Sequence, residues 1–343
     1  MTKSKWGFSI LLLFVTIFIE AQTKKIDVNA FFEDKRPLKV TISTDIKDLQ
    51  SEKKSLKAVN ASITINFPDS ISISDSIKIK HRGNFRKENC YLASLMLQFN
   101  NTKTSHFSPF KRLKLVGGCG KNKNDEQYLL KEYMVYQLYN LLTNYSFRVR
   151  LMEINYIDTK NKIKPYSQYA FVIEDIDDVA KRNNCKEKKF VKAIPNSTKS
   201  SETILVAMFQ YMIGNTDWSI PFFHNIKLVV PKKDTNSMPI PVAYDFDVSG
   251  FVNPPYAEPP PDIGIERVTQ RVYRGFPKPI EELQVVINLF LQKEDEIYSM
   301  INDFNLLSES SKKEMQSYLK DFFKTIKNEN EVKSVFITNA RKN

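Results

Sequence analysis

Cysteine is scarce in this chain: three residues in 343, at Cys90, Cys119 and Cys185. That number excludes a disulfide-built scaffold. In an oxidising compartment one pair can form and leave one thiol; alternatively all three are buried as small hydrophobes. Histidine is equally scarce. His81, His106 and His224 are too dispersed for a local ligand motif, and no Cys/His spacing suggests zinc. Acidic residues number 39 against 51 Lys and Arg, a net charge of +12. That balance favours anionic partners: nucleotide, phosphate, acidic glycan or an anionic lipid surface. The Lys and Arg are scattered and no nucleic-acid-binding motif is present, so nucleic acid is not an expected partner. Internal repeats and low-complexity segments are absent from the sequence. Beyond the first 21 residues no apolar run approaches the roughly 20 residues that a membrane span needs.

What the sequence does contain begins with an export signal. Lys3 and Lys5 form a positive start, Phe8 to Ile19 is apolar apart from Ser9 and Thr16, and Glu20-Ala21-Gln22 offers a small residue for cleavage after Ala21. The alternative is an uncleaved N-terminal anchor. No Cys follows the apolar run, which argues against lipid attachment there. The expected location is periplasmic or secreted, with no stable membrane span after cleavage.

Residues 22 to 36 read as a polar arm. Alternation then predicts strands at Leu38–Ile42, Ala61–Ile65 and Ile71–Lys80, with Asp75 marking a turn inside the last, and at Met96–Phe99 and Arg112–Val116. Gly117, Gly118 and Gly120 break the chain. Asp125 to Leu142 has helical spacing at Leu129, Tyr133, Tyr136 and Asn140, with Asp125 and Glu126 in the first turn. Strands follow at Phe147–Ile157 and Tyr169–Ile173. Helices are expected at Asp177–Arg182, at Ser201–Met212 capped by Ser200 or Ser201, at Pro279–Asn302 and at Ser308–Asn328. The reading is α+β: a signal at 1–21, a strand-rich lobe over 22–173 and a helix-rich lobe over 174–343.

Unusual residues are densest between Gly214 and Gly250: Asn215-Thr216-Asp217, His224-Asn225, and Tyr244-Asp245-Phe246-Asp247. Asp217 follows a helix in a loop, a common place for catalytic groups. Two short apolar segments, Ile226–Val230 and Pro239–Ala243, form a hairpin, which returns its end near its beginning. Asn225 and Asp245 are therefore neighbours, and Asp217 can approach both. Two carboxylates and an amide oxygen around one point suit a hard cation such as Mg²⁺.

These motifs resemble the catalytic segment of atypical kinases of the HipA and CotH (spore-coat kinase) families, CotH above all. Arg82-Gly83-Asn84 is similar to the early CotH motif. Arg112-Leu113-Lys114-Leu115 resembles the lysine-bearing strand, with Lys111 and Arg112 as competitors for Lys114. Phe171-Val172-Ile173-Glu174-Asp175 resembles the segment joining the lobes. The resemblance implies a bilobal protein-kinase-like fold and an exported, Mg²⁺- and ATP-dependent phosphotransferase acting on an envelope or extracellular protein or glycan. It implies Asp217 as the catalytic residue and Asn225, Asp245 and Asp247 as metal ligands. Lys114 would neutralise nucleotide phosphates, Glu132 would pair with Lys114, and Arg82 and Glu174 would complete the nucleotide site. Arg271 and Arg274 are candidates to grip an anionic substrate, and His81 with Arg82 to bind a phosphate or cap a strand. Seven residues, Trp218 to His224, separate Asp217 from Asn225, against four in the usual kinase loop, and no GxGxxG is present. A catalytically inactive kinase-like envelope protein and a two-metal phosphoesterase using Asp217, Asp245 and Asp247 are the alternatives.

Overall fold

The computed structural model describes residues 25–55, 57–83, 90–91, 94–99, 105–110, 112–120, 123–189 and 197–342. The expected export signal, Asn84 and Lys111 lie outside the described residues. Helix α1 (Val28–Glu33), strand β1 (Leu38–Thr44), helix α2 (Ile46–Ser51) and strands β2 (Val59–Asn66), β3 (Ser72–His81), β4 (Leu95–Phe99) and β5 (Arg112–Gly117) come first. Helix α3 (Lys123–Leu142) and strands β6 (Val149–Asp158) and β7 (Tyr166–Ile173) follow. Then come α4 (Ile176–Arg182), β8 (Cys185–Glu187), α5 (Ser200–Met212), β9 (Ile226–Pro231) and β10 (Ile240–Ala243). The chain closes with α6 (Ile280–Gln292), α7 (Glu294–Asn302), α8 (Glu309–Ile326), α9 (Glu329–Lys333) and a π turn at Ser334–Thr338.

The bilobal protein-kinase-like fold is not what the chain adopts. Strands β1 to β7 close into a mixed barrel in the order β1-β2-β3-β4-β5-β7-β6. The closing seam is β1 against β6, the parallel pair, with Val40 opposite Ile154. The alternation that predicts these strands reports which residues face inward. It cannot report that β6 returns beside β1, so a sheet with free edges and a closed barrel give the same pattern.

Nor do the two halves stand apart. On β5, β6 and β7 successive side chains point to opposite faces. Leu113, Leu115, Met152, Ile154, Ala170 and Val172 fill the barrel. Val116, Val149, Leu151, Phe171 and Ile173 join a second core with α3, α5, α6 and α8. Helix α3 lies between these layers, and residues Leu129 to Tyr139 along it are all buried. The helical spacing of Leu129, Tyr133, Tyr136 and Asn140 in the sequence therefore understates its burial. Even Lys131 is inside, paired with Glu314 at 2.7 Å.

Other differences are local. The polar arm contains α1, which buries Phe31 and Phe32 against the barrel. Arg150 donates from the barrel to the Phe31 and Asp34 carbonyls and pairs with the Asp34 carboxylate. Strand β3 runs unbroken through Asp75, whose side chain accepts from the Ser105 hydroxyl. Helix α5 starts at Ser200, with Lys199 at the cap position, where its side chain pairs with Glu202 at 2.8 Å and accepts no bond from the helix amides. The expected helix over 279–302 is divided at Lys293. Cys90 and Cys119 form a disulfide, and Cys185 is a buried thiol. Among the described residues no helix is long and apolar enough to cross a membrane.

Candidate functional site

A cleft of about 370 Å³ opens where the barrel meets α3 and the β9–β10 hairpin. Its lining contains Arg82, Lys114, Glu132, Asp217, Asn225, Asp245 and Asp247. Elements far apart in sequence deliver these side chains. Lys114 alternates with the barrel-filling Leu113 and Leu115 on β5, so it faces outward beside Val116. Arg82 follows β3, its amide donating to the Ser94 carbonyl at 2.9 Å. Glu132 and Tyr136 are four apart on α3 and share a face.

The hairpin brings the metal-type residues together. Ala243 pairs with Ile226, so the residues just outside the ladder meet: the Tyr244 amide donates to the Asn225 carbonyl at 3.0 Å. Asn225 and Asp245 both take the left-handed conformation, with φ of 51° and 66°. Asn and Asp tolerate that region better than other side chains, and such residues cluster at functional sites. The Tyr136 hydroxyl accepts from the Asp245 amide at 3.0 Å, fixing the turn from the α3 side. Burial holds the Tyr136 phenol well above its ordinary pKa, with Glu132 and Asp245 adding to the effect.

Asp217 is held from three directions. Its amide donates to Asn215 Oδ1 at 2.9 Å. His224 Nε2 donates to Oδ1 at 2.7 Å, and Asn225 Nδ2 donates to Oδ2 at 3.0 Å and to the Asp217 carbonyl at 2.8 Å. The loop between them closes on a Ser219–His224 bridge, which is how the longer spacing to Asn225 is accommodated. Before the loop, Gly214 has φ of 62°, and a Cβ there would collide with the Tyr318 hydroxyl. The Gly250 amide donates to the Gly214 carbonyl at 3.1 Å, so the stretch after Asp247 is tied to the stretch before Asp217. Tyr256 donates to Asp247 Oδ2 at 3.3 Å.

The oxygen donors fit a hard cation. Asn225 commits its amide nitrogen to Asp217, which leaves the carboxamide oxygen for a metal. Asp245 and Asp247 supply carboxylates in the same cleft. Among the described residues no group of three or more His, Cys, Asp or Glu is gathered tightly enough to cage an ion by itself. Mg²⁺ needs no such cage, because it keeps waters and takes substrate phosphates alongside one or two carboxylates.

Lys114 sits partly buried, and desolvation together with the Arg82 guanidinium lowers its pKa. Asp175, Lys227 and Arg112 also act on its charge, and Glu132 lines the same cleft. Glu174 lies outside the cleft. It is buried, accepts from the Arg148 amide at 3.0 Å and binds Arg182 Nε at 3.0 Å, which is a structural role. His81 is buried too and bonds to the Leu49 carbonyl at 3.0 Å, so of the His81–Arg82 pair Arg82 alone reaches the cleft. Arg271 stacks on Tyr318 at 3.6 Å and donates to the Tyr211 and Met212 carbonyls, which makes it part of the core. The sequence reading assigned no role to His224 or Tyr136. An exposed His directly before the metal-type Asn, and a Tyr one turn after Glu132, were the available signals.

No family model and no curated protein sequence matches the chain.

Proposed function

We propose that the cleft binds a Mg-nucleotide and transfers a phosphoryl group to an acceptor hydroxyl, the activity implied by the likeness of these motifs to CotH-type kinases. The carrying observation is that three segments, around residues 82, 114 and 217–247, contribute two cations, an Asn and three carboxylates to one cleft. Those side chains, and not the barrel fold, support this activity.

Mg-ATP supplies the transferable phosphoryl group and a metal that neutralises its oxygens. Arg82 and Lys114 offer positive charge to the phosphates. Asn225, Asp245 and Asp247 hold the cation through oxygen. Asp217 orients the acceptor hydroxyl and takes its proton on a carboxylate oxygen. His224 and Asn225, each bonded to one oxygen of that carboxylate, hold it in place. General-base assistance of this kind is worth about 10²–10⁴-fold in rate.

The acceptor belongs to the envelope or the exterior, by the export reading of residues 1–21. The Cys90–Cys119 bridge supports that location, since disulfides persist in oxidising compartments.

Thermal-shift titration of the mature protein tests the reading. With ATP at about 100-fold its Kd the shift corresponds to about 2.7 kcal/mol. It should require Mg²⁺ and vanish in Asp245→Ala. No shift in the wild-type protein overturns nucleotide binding.

A further inference from the structure

Lys114 lines a second groove as well as the cleft, with room of about 420 Å³. From the barrel come Arg112 and Lys114, two apart on β5 and therefore on one face. From the small sheet come Lys227 on β9 and, just past β8, Lys188 and Lys189. The Lys188 amide donates to the Leu228 carbonyl at 2.8 Å, which extends the β8–β9 ladder and fixes the backbone from which these two lysines project.

Five cations thus meet two carboxylates, Asp175 and Glu187. Both carboxylates are already engaged. Asp175 lies 3.6 Å from Arg112 and accepts from the Asp177 amide at 3.1 Å, and Glu187 lies 3.4 Å from Lys227. Among the described residues no carboxylate pairs with Lys188 or Lys189. Besides burial, the charges of Arg82, Lys227 and Arg112 work against protonated Lys114, and Asp175 offsets them in part. Like charges held close by two separate sheets create a positive field that an anion relieves.

The lining also selects the kind of anion. Four of the five cations are lysines, which hold phosphate as point charges, whereas the planar fork of Arg is what matches a carboxylate pairwise. A nucleobase is a poor match, because the apolar lining other than Phe223 is closed off: Ile176, Ile226 and Leu228 are 8%, 1% and 2% exposed. At roughly 30 Å³ for each water of the liquid, the groove has space for more than one phosphate-sized group.

We propose that this groove binds a phosphate-bearing polyanion, held by Lys188 and Lys189 together with Arg112 and Lys227. On the phosphotransferase reading that polyanion is the acceptor, brought beside Lys114; the binding itself does not depend on that reading.

Isothermal titration with inorganic tripolyphosphate tests this, in excess Mg²⁺, on protein saturated with a non-hydrolysable ATP analogue and on protein without nucleotide. Tripolyphosphate should bind in both cases, and more weakly as salt is added. Lys188→Ala/Lys189→Ala should weaken it by about five- to tenfold, the order that two partly exposed charge pairs supply, with the melting temperature and the Mg-ATP thermal shift unchanged. Loss of tripolyphosphate binding once the analogue is bound assigns the groove to the nucleotide and overturns the inference, as does unchanged affinity in the folded double variant. Equal affinity for a carboxylate polymer, polygalacturonate, overturns the choice of phosphate. Tripolyphosphate binding that needs the two lysines, in a protein that shows no Mg-ATP shift, sinks the phosphotransferase reading and keeps the groove.

Discussion

Two carboxylates of similar sequence appearance, Asp217 and Glu174, have opposite environments. Asp217 is partly exposed at the lip of the cleft, and each of its oxygens accepts one ordered donor. Asp217→Asn keeps the shape and removes the proton acceptor. Phosphoryl transfer should fall by about 10²–10⁴-fold while the Mg-ATP thermal shift persists, a split that a merely structural Asp would not produce. Glu174 instead neutralises Arg182, whose side chain is 8% exposed against 1% for the Glu. Glu174→Ala strands a buried guanidinium and should cost about 3–5 kcal/mol in urea unfolding. The folded fraction should still bind nucleotide. Glu174 looked like a nucleotide-site residue because Phe171 to Asp175 resembles the segment joining the lobes of CotH-type kinases; nothing local in the sequence announces that Arg182, eight residues on, turns back to it.

At the scale of elements, α4 shows how packing sets titration. Asp175 caps it through the Asp177 amide, and Asp177 and Asp178 fill its first turn. Burial, reinforced by Glu174 and Asp175, raises the Asp178 carboxyl from 3.8 to about 6. The folded chain then holds that proton more tightly than the unfolded chain. Its stabilising contribution is complete below the unfolded value and is lost as pH rises through about 6. Asp178→Asn should therefore match the wild type near pH 3.5 and become progressively more stable than it between about pH 4 and 6, with the difference constant above. Melting temperatures of the two proteins across that range check this, and a difference independent of pH would refute it. The β9–β10 hairpin was legible in outline because its apolar segments are short and bounded by turn residues. The register that sets Tyr244 beside Asn225 puts Asp245 within reach of Tyr136, and that contact depends on where α3 lies.

For the whole molecule, the alternate faces of β5, β6 and β7 serve two cores at once. Barrel and helices should therefore unfold together. The chain has two tryptophans, Trp6 and Trp218; in protein produced without residues 1–21 Trp218 is the only one, and it is buried in the helical core. Its fluorescence and the far-ultraviolet circular dichroism should give coincident denaturant transitions, whereas independent lobes would give two. The sequence by itself determined most strands, the long helices and the crowding of catalytic-type residues between Gly214 and Gly250, because periodicity and turn chemistry act over a few neighbours. It did not reveal α1 or β8, whose apolar content is too short to show a period. Tertiary structure alone decided that β1 meets β6 to close a barrel. It alone decided that α3 is buried nearly all round, that Arg82 and Lys114 reach the cleft of Asp217 and Asp245, and that Arg271 goes to the core while Arg274 lies beside the Asp217 loop. Each of those outcomes is a contact between residues distant in the chain, and a local pattern says which way a side chain points, not what the folded chain brings to meet it.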